Sequence, residues 1–202
     1  TAFFIMGRIE NSRNRVFREE GDALQIYPYD ENKVTDPSLI LYTPVRVCNG
    51  SVVVTNGDHT DTVCDSLQSG HSLQYALSMR CYEPDAPNYT PRISALVLPT
   101  GRYAMSIVRK SRRTVDCVRK YYSYEPKEGE AHLIHTYERD GDPLPTFDGE
   151  PRALEIGGSP AELAAQIWAA LDRQNRVALY VRYTDLANGR FESVILNRLL
   201  GD

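Results

Sequence analysis

Residues 45–55 read Val-Arg-Val-Cys-Asn-Gly-Ser-Val-Val-Val-Thr. Two β-branched runs, Val45–Cys48 and Ser51–Thr55, flank Asn49-Gly50. A two-residue type I′ turn selects such a pair because both of its central residues need positive φ. This stretch therefore predicts an antiparallel hairpin. The pattern recurs twice: Ile93–Leu98 and Tyr103–Arg109 flank Pro99-Thr100-Gly101-Arg102, and Arg176–Thr184 and Arg190–Asn197 flank Asn188-Gly189. Strands joined by short turns run antiparallel, so the pattern predicts an α+β fold with antiparallel sheet rather than a doubly wound one.

Working outward, Thr1–Arg8 is apolar at successive positions and predicts a strand buried on both faces, as in sheet packed on sheet with helices outside. Ile9–Asn14 reads as a loop. Asp61–Ser69 predicts a first helix, stopped by Gly70, with Thr60 or Asp61 as cap. Ser72–Cys81 predicts a second, in which Leu73, Ala76, Leu77 and Arg80 recur at helical spacing and Ser72 caps. Pro84, Pro87 and Pro91 hold Glu83–Arg92 extended. Thr114–Tyr124 and His132–Glu138 predict strands, and Arg139–Pro151 an ordered loop. Ser159-Pro160-Ala161-Glu162 is a capping box with Pro at the first helical position, followed by Leu163, Ile167, Trp168 and Leu171 on one face.

The 202 residues fit one domain with a real core, and 42% hydrophobic with 25% charged residues excludes disorder. The formal charge of −4 carries no bulk signal for nucleic acid. Apolar runs are too short for a membrane helix, and no secretory signal is expected. Basic residues are skewed to 19 Arg against 4 Lys, and 13 of 19 aromatics are Tyr. Codon bias explains such a skew, and so does a site built from planar guanidinium and hydroxyl groups.

Cys48, Cys64, Cys81 and Cys117 contain no C-x-x-C pair, which suits neither a zinc ribbon nor a dense disulfide scaffold. Four reduced, mostly buried thiols in a cytoplasmic protein are expected. His59 and Asp61 lack a second pair of ligands, and His132 and His135 point to opposite faces of a strand, so no metal site is expected.

Four features bear on chemistry. Asn56–Thr62 (Asn-Gly-Asp-His-Thr-Asp-Thr) joins a buried strand to a helix start, where free N–H groups and hydroxyls surround an anion or a sugar, or simply cap a turn. Arg8, Arg13, Asn14 and Arg15 follow a buried strand, placed to grip phosphate or to form a solvated loop balanced by Glu10, Glu19 and Glu20. Arg102–Lys120 holds seven basic residues against Asp116, which reads as charge protection of a sheet edge more than as an RNA face. Tyr82-Glu83 ends the second helix, where the dipole would raise the carboxyl pKa and suit it to proton transfer.

Taken in order, Asn56–Thr62, Tyr82-Glu83 followed by Thr90-Pro91-Arg92-Ile93, Thr136-Tyr137-Glu138 and Gly158–Glu162 resemble the archaeal-type IMP cyclohydrolase family. Asn14-Arg15 after the Arg8 strand, and Tyr42 before Arg46, fit it too. The resemblance runs from Thr1 to about Trp168, and is weaker over Thr100–Gly129 and beyond Ala170. It implies a four-layer αββα sandwich like that of N-terminal-nucleophile hydrolases. It also implies cofactor-free closure of 5-formamidoimidazole-4-carboxamide ribonucleotide to IMP, with a purine ribonucleotide as the partner and a homo-oligomer left open. By the resemblance Arg15 supplies positive charge or fixes the carboxamide, Tyr42 donates a hydrogen bond, and Glu83 orients or deprotonates the attacking amide. Asn56, Gly57, His59, Thr60, Asp61 and Arg92 would hold ribose or phosphate, with Arg8 supporting, and Asn14, Tyr82 and Tyr137 would also bind substrate.

Asp58 and the Arg102–Lys120 block have no clear counterpart in that pattern, and a strand the family carries before Thr1 is expected to be missing. Two other readings follow from the residues: an amidohydrolase with Thr1 as N-terminal nucleophile, and a non-catalytic nucleotide- or RNA-binding module using the basic block.

Overall fold

The computed structural model describes residues 1–34, 37 and 41–201. Its elements fall into two compact units, residues 1–45 with 156–202 and residues 46–155. It is mixed α+β, with mainly antiparallel sheets and few helices. Among the described residues no helix is long and apolar enough to cross a membrane.

The first unit opens with β1 (Ala2–Met6), a one-turn helix α1 (Glu10–Arg13), β2 (Arg15–Glu20) and β3 (Ala23–Pro28). The predicted loop Ile9–Asn14 thus contains a helical turn, closed by Ser12 Oγ, which accepts from Ile9 N and donates to Ile9 O. The β2–β3 hairpin has no counterpart in the periodicity, because its buried apolar residues are only Val16 and Phe17 on β2, beside the buried Arg15, and Leu24 and Ile26 on β3. The second unit carries β4 (Val45–Cys48, whose first residue closes the first unit), β5 (Ser51–Thr55), α2 (His59–Gln68), α3 (Leu73–Ser78) and β6 (Arg92–Val97). It continues with β7 (Tyr103–Lys110), β8 (Cys117–Tyr124), β9 (Glu130–Leu133) and β10 (Arg152–Glu155). The chain then returns to the first unit with α4 (Pro160–Ala170), β11 (Arg176–Thr184) and β12 (Phe191–Asn197).

In the first unit β11 is the middle strand of an antiparallel sheet ordered β1-β11-β12. Its residues Val177–Val181 are all nearly inaccessible. One face, through Leu179 and Val181, packs on Leu163, Ala164 and Trp168 of α4. The other face meets the β2–β3 hairpin: Phe3 stacks on Phe17 at 5.7 Å, Tyr180 Oη donates to Glu19 at 2.8 Å, and the Asn197 amide clamps both backbone groups of Phe17. β1 is therefore covered on both faces at Phe3, Phe4 and Ile5, as its unbroken apolar run predicts, while Met6 is exposed. Helix α4 starts at the predicted capping box: Ser159 Oγ accepts from Glu162 N, and the Glu162 carboxylate accepts from Ser159 N at 2.7 Å.

In the second unit the Asn49-Gly50 turn has φ of 51° and 73°, the positive values that the type I′ turn requires. Strands β5 to β8 follow one another antiparallel. Helices α2 and α3 bury Val63, Leu73, Ala76 and Leu77 against Val53, Leu96 and Val108 on one sheet face.

Three expectations are corrected. Helix α2 begins at His59, two residues before the predicted start, and the Asp58 carboxylate at its N-cap position makes no capping bond. Strand β9 ends at Leu133 and pairs with β10, so His135 lies beyond it; His132 stacks on Tyr124 and His135 on Phe147. The four cysteines are not free thiols, for Cys48 is bonded to Cys64 and Cys81 to Cys117. Packing α2 against the β4–β5 hairpin brings the first pair to a Cα separation of 5.5 Å, and folding the chain after α3 onto β8 brings the second to 5.9 Å. Sequence spacing carries no information about either approach.

Candidate active site

Strand β5 is buried along its whole length and delivers Asn56-Gly57-Asp58 to the start of α2. The Asn56 amide fastens this corner to the start of β6, donating to Pro91 O at 2.9 Å and accepting from Ile93 N at 2.8 Å. Thr60 is an internal brace: its hydroxyl is hydrogen-bonded to that of Thr55 at 2.6 Å, and Gly57 O lies within reach of both, 2.8 Å from Thr55 Oγ1 and 3.2 Å from Thr60 Oγ1. Gly57 has no room for a side chain, because a Cβ would stand 2.9 Å from Glu83 Oε1 and 3.0 Å from an Arg92 nitrogen.

Arg92, at the start of β6, organises what surrounds that glycine. Its Nε donates to Cys81 O at 2.7 Å, and its two terminal nitrogens hold Glu83 at 2.7 Å (Nη1–Oε1) and 3.1 Å (Nη2–Oε2). The same Nη1 lies 2.6 Å from Asp58 Oδ1 and 3.2 Å from His59 Nδ1. A guanidinium has no acceptor, so Nδ1 must carry the lone pair and the His59 proton sits on Nε2. That proton faces Ile93 O at 3.2 Å and Ser94 Oγ at 3.1 Å. Burial, with Arg92 adding to it, lowers the imidazole pKa to about 3, so His59 is a neutral group in the core.

Glu83 is buried, and burial pushes its pKa upward against the pull of Arg92. The upward direction expected from a helix end is present, but its cause is different. Helix α3 stops at Ser78, well before Glu83, and desolvation rather than a helix dipole disfavours the charge. Two charged residues that the sequence reading did not assign complete the cluster. Asp58 joins Arg92 to Arg80, whose Nη1 donates to Asp58 Oδ2 at 2.9 Å and whose Nε donates to Thr62 Oγ1 at 2.8 Å. The signal for Arg80 is its place after Leu73, Ala76 and Leu77 at helical spacing, where a charge among apolar positions needs an internal partner.

The other assigned residues of this unit take different surroundings. Asp61 is exposed and pairs with Arg46 at 2.6 Å. Tyr82 donates its hydroxyl to Val115 O and meets Tyr89 edge-on. The Tyr137 hydroxyl lies 2.5 Å from that of Thr90, which is itself held by Asp85.

In the first unit Arg15 opens β2 with a buried guanidinium whose Nε donates to Ser12 O at 2.8 Å. Burial lowers its pKa, and Tyr42 is near enough to oppose that electrostatically. Asn14 is buried, and its amide clamps the backbone of Asp30 from both sides, donating at 2.7 Å and accepting at 2.9 Å. Arg8 is exposed.

A buried carboxylate of raised pKa fixed to a cation, beside a neutral imidazole and a corner open only to glycine, can accept a proton while the cation steadies developing negative charge. Comparison with known proteins gives this arrangement its family. A family model described as IMP cyclohydrolase-like protein matches residues 1–189. The chain belongs to that family. It is 30% identical over 158 residues to the IMP cyclohydrolase of Methanothrix thermoacetophila, covering 77% of this chain and 72% of that protein. It is 30% identical over 144 residues to the IMP cyclohydrolase of Halobacterium salinarum, covering 69% of each. The IMP cyclohydrolase-like match covers every residue of the Arg80–Asp58–Arg92–Glu83 cluster, together with Arg15 and Tyr42.

Proposed function

We propose that this protein is an IMP cyclohydrolase that closes 5-formamidoimidazole-4-carboxamide ribonucleotide to IMP, releasing water and using no cofactor. The observation that carries the reading is the family match over residues 1–189, with Glu83 and Arg92 paired inside the matched region. The carboxamide nitrogen attacks the formyl carbon, the formyl oxygen takes up negative charge, and that oxygen then leaves as water once protonated. Attack by so weak a nucleophile depends on holding the two groups in contact. In the proposal Glu83 takes the proton from the attacking amide, a role its upward-shifted pKa favours. Arg15 supplies positive charge to the oxyanion or fixes the carboxamide, and Tyr42 donates a hydrogen bond.

Asn56, Gly57, His59, Thr60 and Arg92 shape the substrate corner rather than meet phosphate, since their polar atoms are committed to the protein. Arg8, Asp61, Tyr82 and Tyr137 remain proposed substrate contacts, and Asn14 a support for the loop that carries Arg15. The proposal includes a single catalytic domain over residues 1–202, the four-layer αββα arrangement, and a cytoplasmic location where the phosphorylated substrate would be made. Layers of helix, sheet and sheet within the first unit, and of helix and sheet within the second, support that architecture.

The test is absorbance-monitored conversion of the formamido ribonucleotide by the purified protein, with Arg15→Ala, Tyr42→Phe and Glu83→Gln in parallel. Turnover that each substitution lowers about 100-fold supports the reading. A flat wild-type trace without thermal stabilisation by IMP rejects it, and full activity in all three variants rejects the site. Loss of activity in Thr1→Ala alone would favour amide hydrolysis at Thr1, and salt-sensitive RNA binding abolished by neutralising Arg112 and Arg113 would favour the binding module.

A further inference from the structure

Asp58 and Arg80 have no part in the roles assigned above, yet they make the contacts that decide how Arg92 is shared. Asp58 stands at the N-cap of α2 without capping it. Its Oδ1 accepts from Arg92 Nη1 at 2.6 Å, its Oδ2 accepts from Arg80 Nη1 at 2.9 Å, and its carbonyl lies 3.4 Å from Arg80 Nη2. Arg80 is fixed in turn, by Thr62 Oγ1 at its Nε and by Arg119 Nη2 donating to its carbonyl at 2.6 Å. Arg92 Nη1 has two hydrogens but three acceptors in reach: Asp58 Oδ1, Glu83 Oε1 and His59 Nδ1. With His59 Nδ1 also drawing on those two hydrogens, Asp58 and Glu83 compete for one nitrogen.

We propose that Asp58 and Arg80 are positioning residues of this site: Asp58 draws Arg92 away from exclusive pairing with Glu83, and Arg80 holds Asp58 where it does so. The pair thus sets how much of the guanidinium Glu83 receives. The consequence for catalysis rests on Glu83 being the proton acceptor proposed above.

Charged groups from several elements act on Glu83. Arg92 from β6 and Arg80 after α3 favour its charged form, while Asp58 before α2 and Asp85 in its own loop disfavour it. His59, which lines the same space beside Gly57, is neutral. Removing the Asp58 charge leaves Arg92 to Glu83 and makes Glu83 more acidic. Removing the Arg80 charge acts the other way twice, by deleting a cation and by freeing Asp58 to take more of Arg92. Two substitutions in one ion-pair chain should shift one carboxyl in opposite directions, which general loss of structure does not do.

The test titrates Glu83 in the full chain by 13C NMR of carboxyl-labelled glutamate, assigned with Glu83→Gln, in wild type, Asp58→Asn, Arg80→Gln and Arg80→Lys. The Glu83 midpoint is expected to fall in Asp58→Asn, rise in Arg80→Gln, and stay near wild type in Arg80→Lys, where the charge is kept. In cyclisation assays the acidic limb of kcat should follow these midpoints, with kcat of Asp58→Asn about tenfold down and KM within about threefold. A midpoint unchanged in every variant, or moved in the same direction by Asp58→Asn and Arg80→Gln, overturns the proposal. Midpoints that separate as expected while the kcat limb stays put uphold the positioning and reject Glu83 as the base. Arg80 is partly exposed, so its two variants decide the matter if Asp58→Asn does not fold.

Discussion

Arg92 holds Glu83 by both carboxylate oxygens, at 2.7 and 3.1 Å, with both side chains buried. A buried pair adds little net stability over apolar packing, but loss of one partner strands the other charge. Arg92→Met should therefore lower stability by about 3 kcal/mol, since it leaves Glu83 and Asp58 without their shared cation. Glu83→Gln, which keeps the shape and removes the charge, should reduce cyclisation far more than it reduces the urea midpoint. Comparable stability losses in the two variants, with activity retained in Glu83→Gln, would contradict this account.

Gly57 faces both partners of the ion pair with no room for a side chain. In Gly57→Ala the new methyl meets Glu83 Oε1 at 2.9 Å and Arg92 at 3.0 Å, and both are held by other partners. Turnover should drop at least tenfold while the circular dichroism spectrum stays unchanged. Wild-type kinetics in Gly57→Ala would show that the corner does not shape the site.

His59 supplies a pH dependence of known sign. Its pKa is about 3 in the folded protein, against an ordinary value of 6.5, because burial and Arg92 oppose its protonation. Between those limits the unfolded chain binds a proton that the native state excludes, so this contribution to stability is whole above pH 6.5 and is lost as pH falls toward 3. His59→Gln lacks that dependence. The stability gap between wild type and His59→Gln, measured by urea unfolding, should narrow steadily below pH 6.5, and a constant gap would refute it.

The α4 capping box offers a control at residues with no role in the proposed chemistry. Ser159→Ala removes the hydroxyl that accepts from Glu162 N and should cost about 1 kcal/mol of stability. Cyclisation kinetics at 25 °C should be unaltered. A large loss of activity in this variant would tie α4 to the site.

The disulfides differ in exposure, and so in accessibility to reductant. Cys48 on β4 and Cys64 on α2 are buried in the core, whereas Cys81 is exposed. Mild reduction followed by alkylation and mass mapping should label Cys81 and Cys117 first. Breaking Cys48–Cys64, which spans 16 residues, should cost about 3 kcal/mol. Simultaneous labelling of all four cysteines would contradict that order.

The sequence alone made the antiparallel class, the hairpins at Asn49-Gly50 and Asn188-Gly189, the Ser159 capping box and the polar corner at Asn56–Thr62 readable. Turn dihedrals, side-chain period and capping all act over a few residues, so local chemistry determines them. It also placed Glu83 and Arg92 among the residues of interest, through the resemblance carried by Tyr82-Glu83 and Thr90–Ile93. The β2–β3 hairpin escaped, because the buried run Arg15–Phe17 is followed directly by the exposed charges Arg18, Glu19 and Glu20, which breaks the period-2 alternation of a strand.

Tertiary structure decided what those residues do. Asp58 stands at the N-cap of α2, but Arg80, 22 residues away, and Arg92, 34 away, claim its carboxylate. The His59 proton is assigned by Arg92, and the cysteines are paired by helix packing and by the fold of the chain after α3. A charge or thiol finds its partner through strand register and packing, which depend on the whole chain and leave no trace in local spacing.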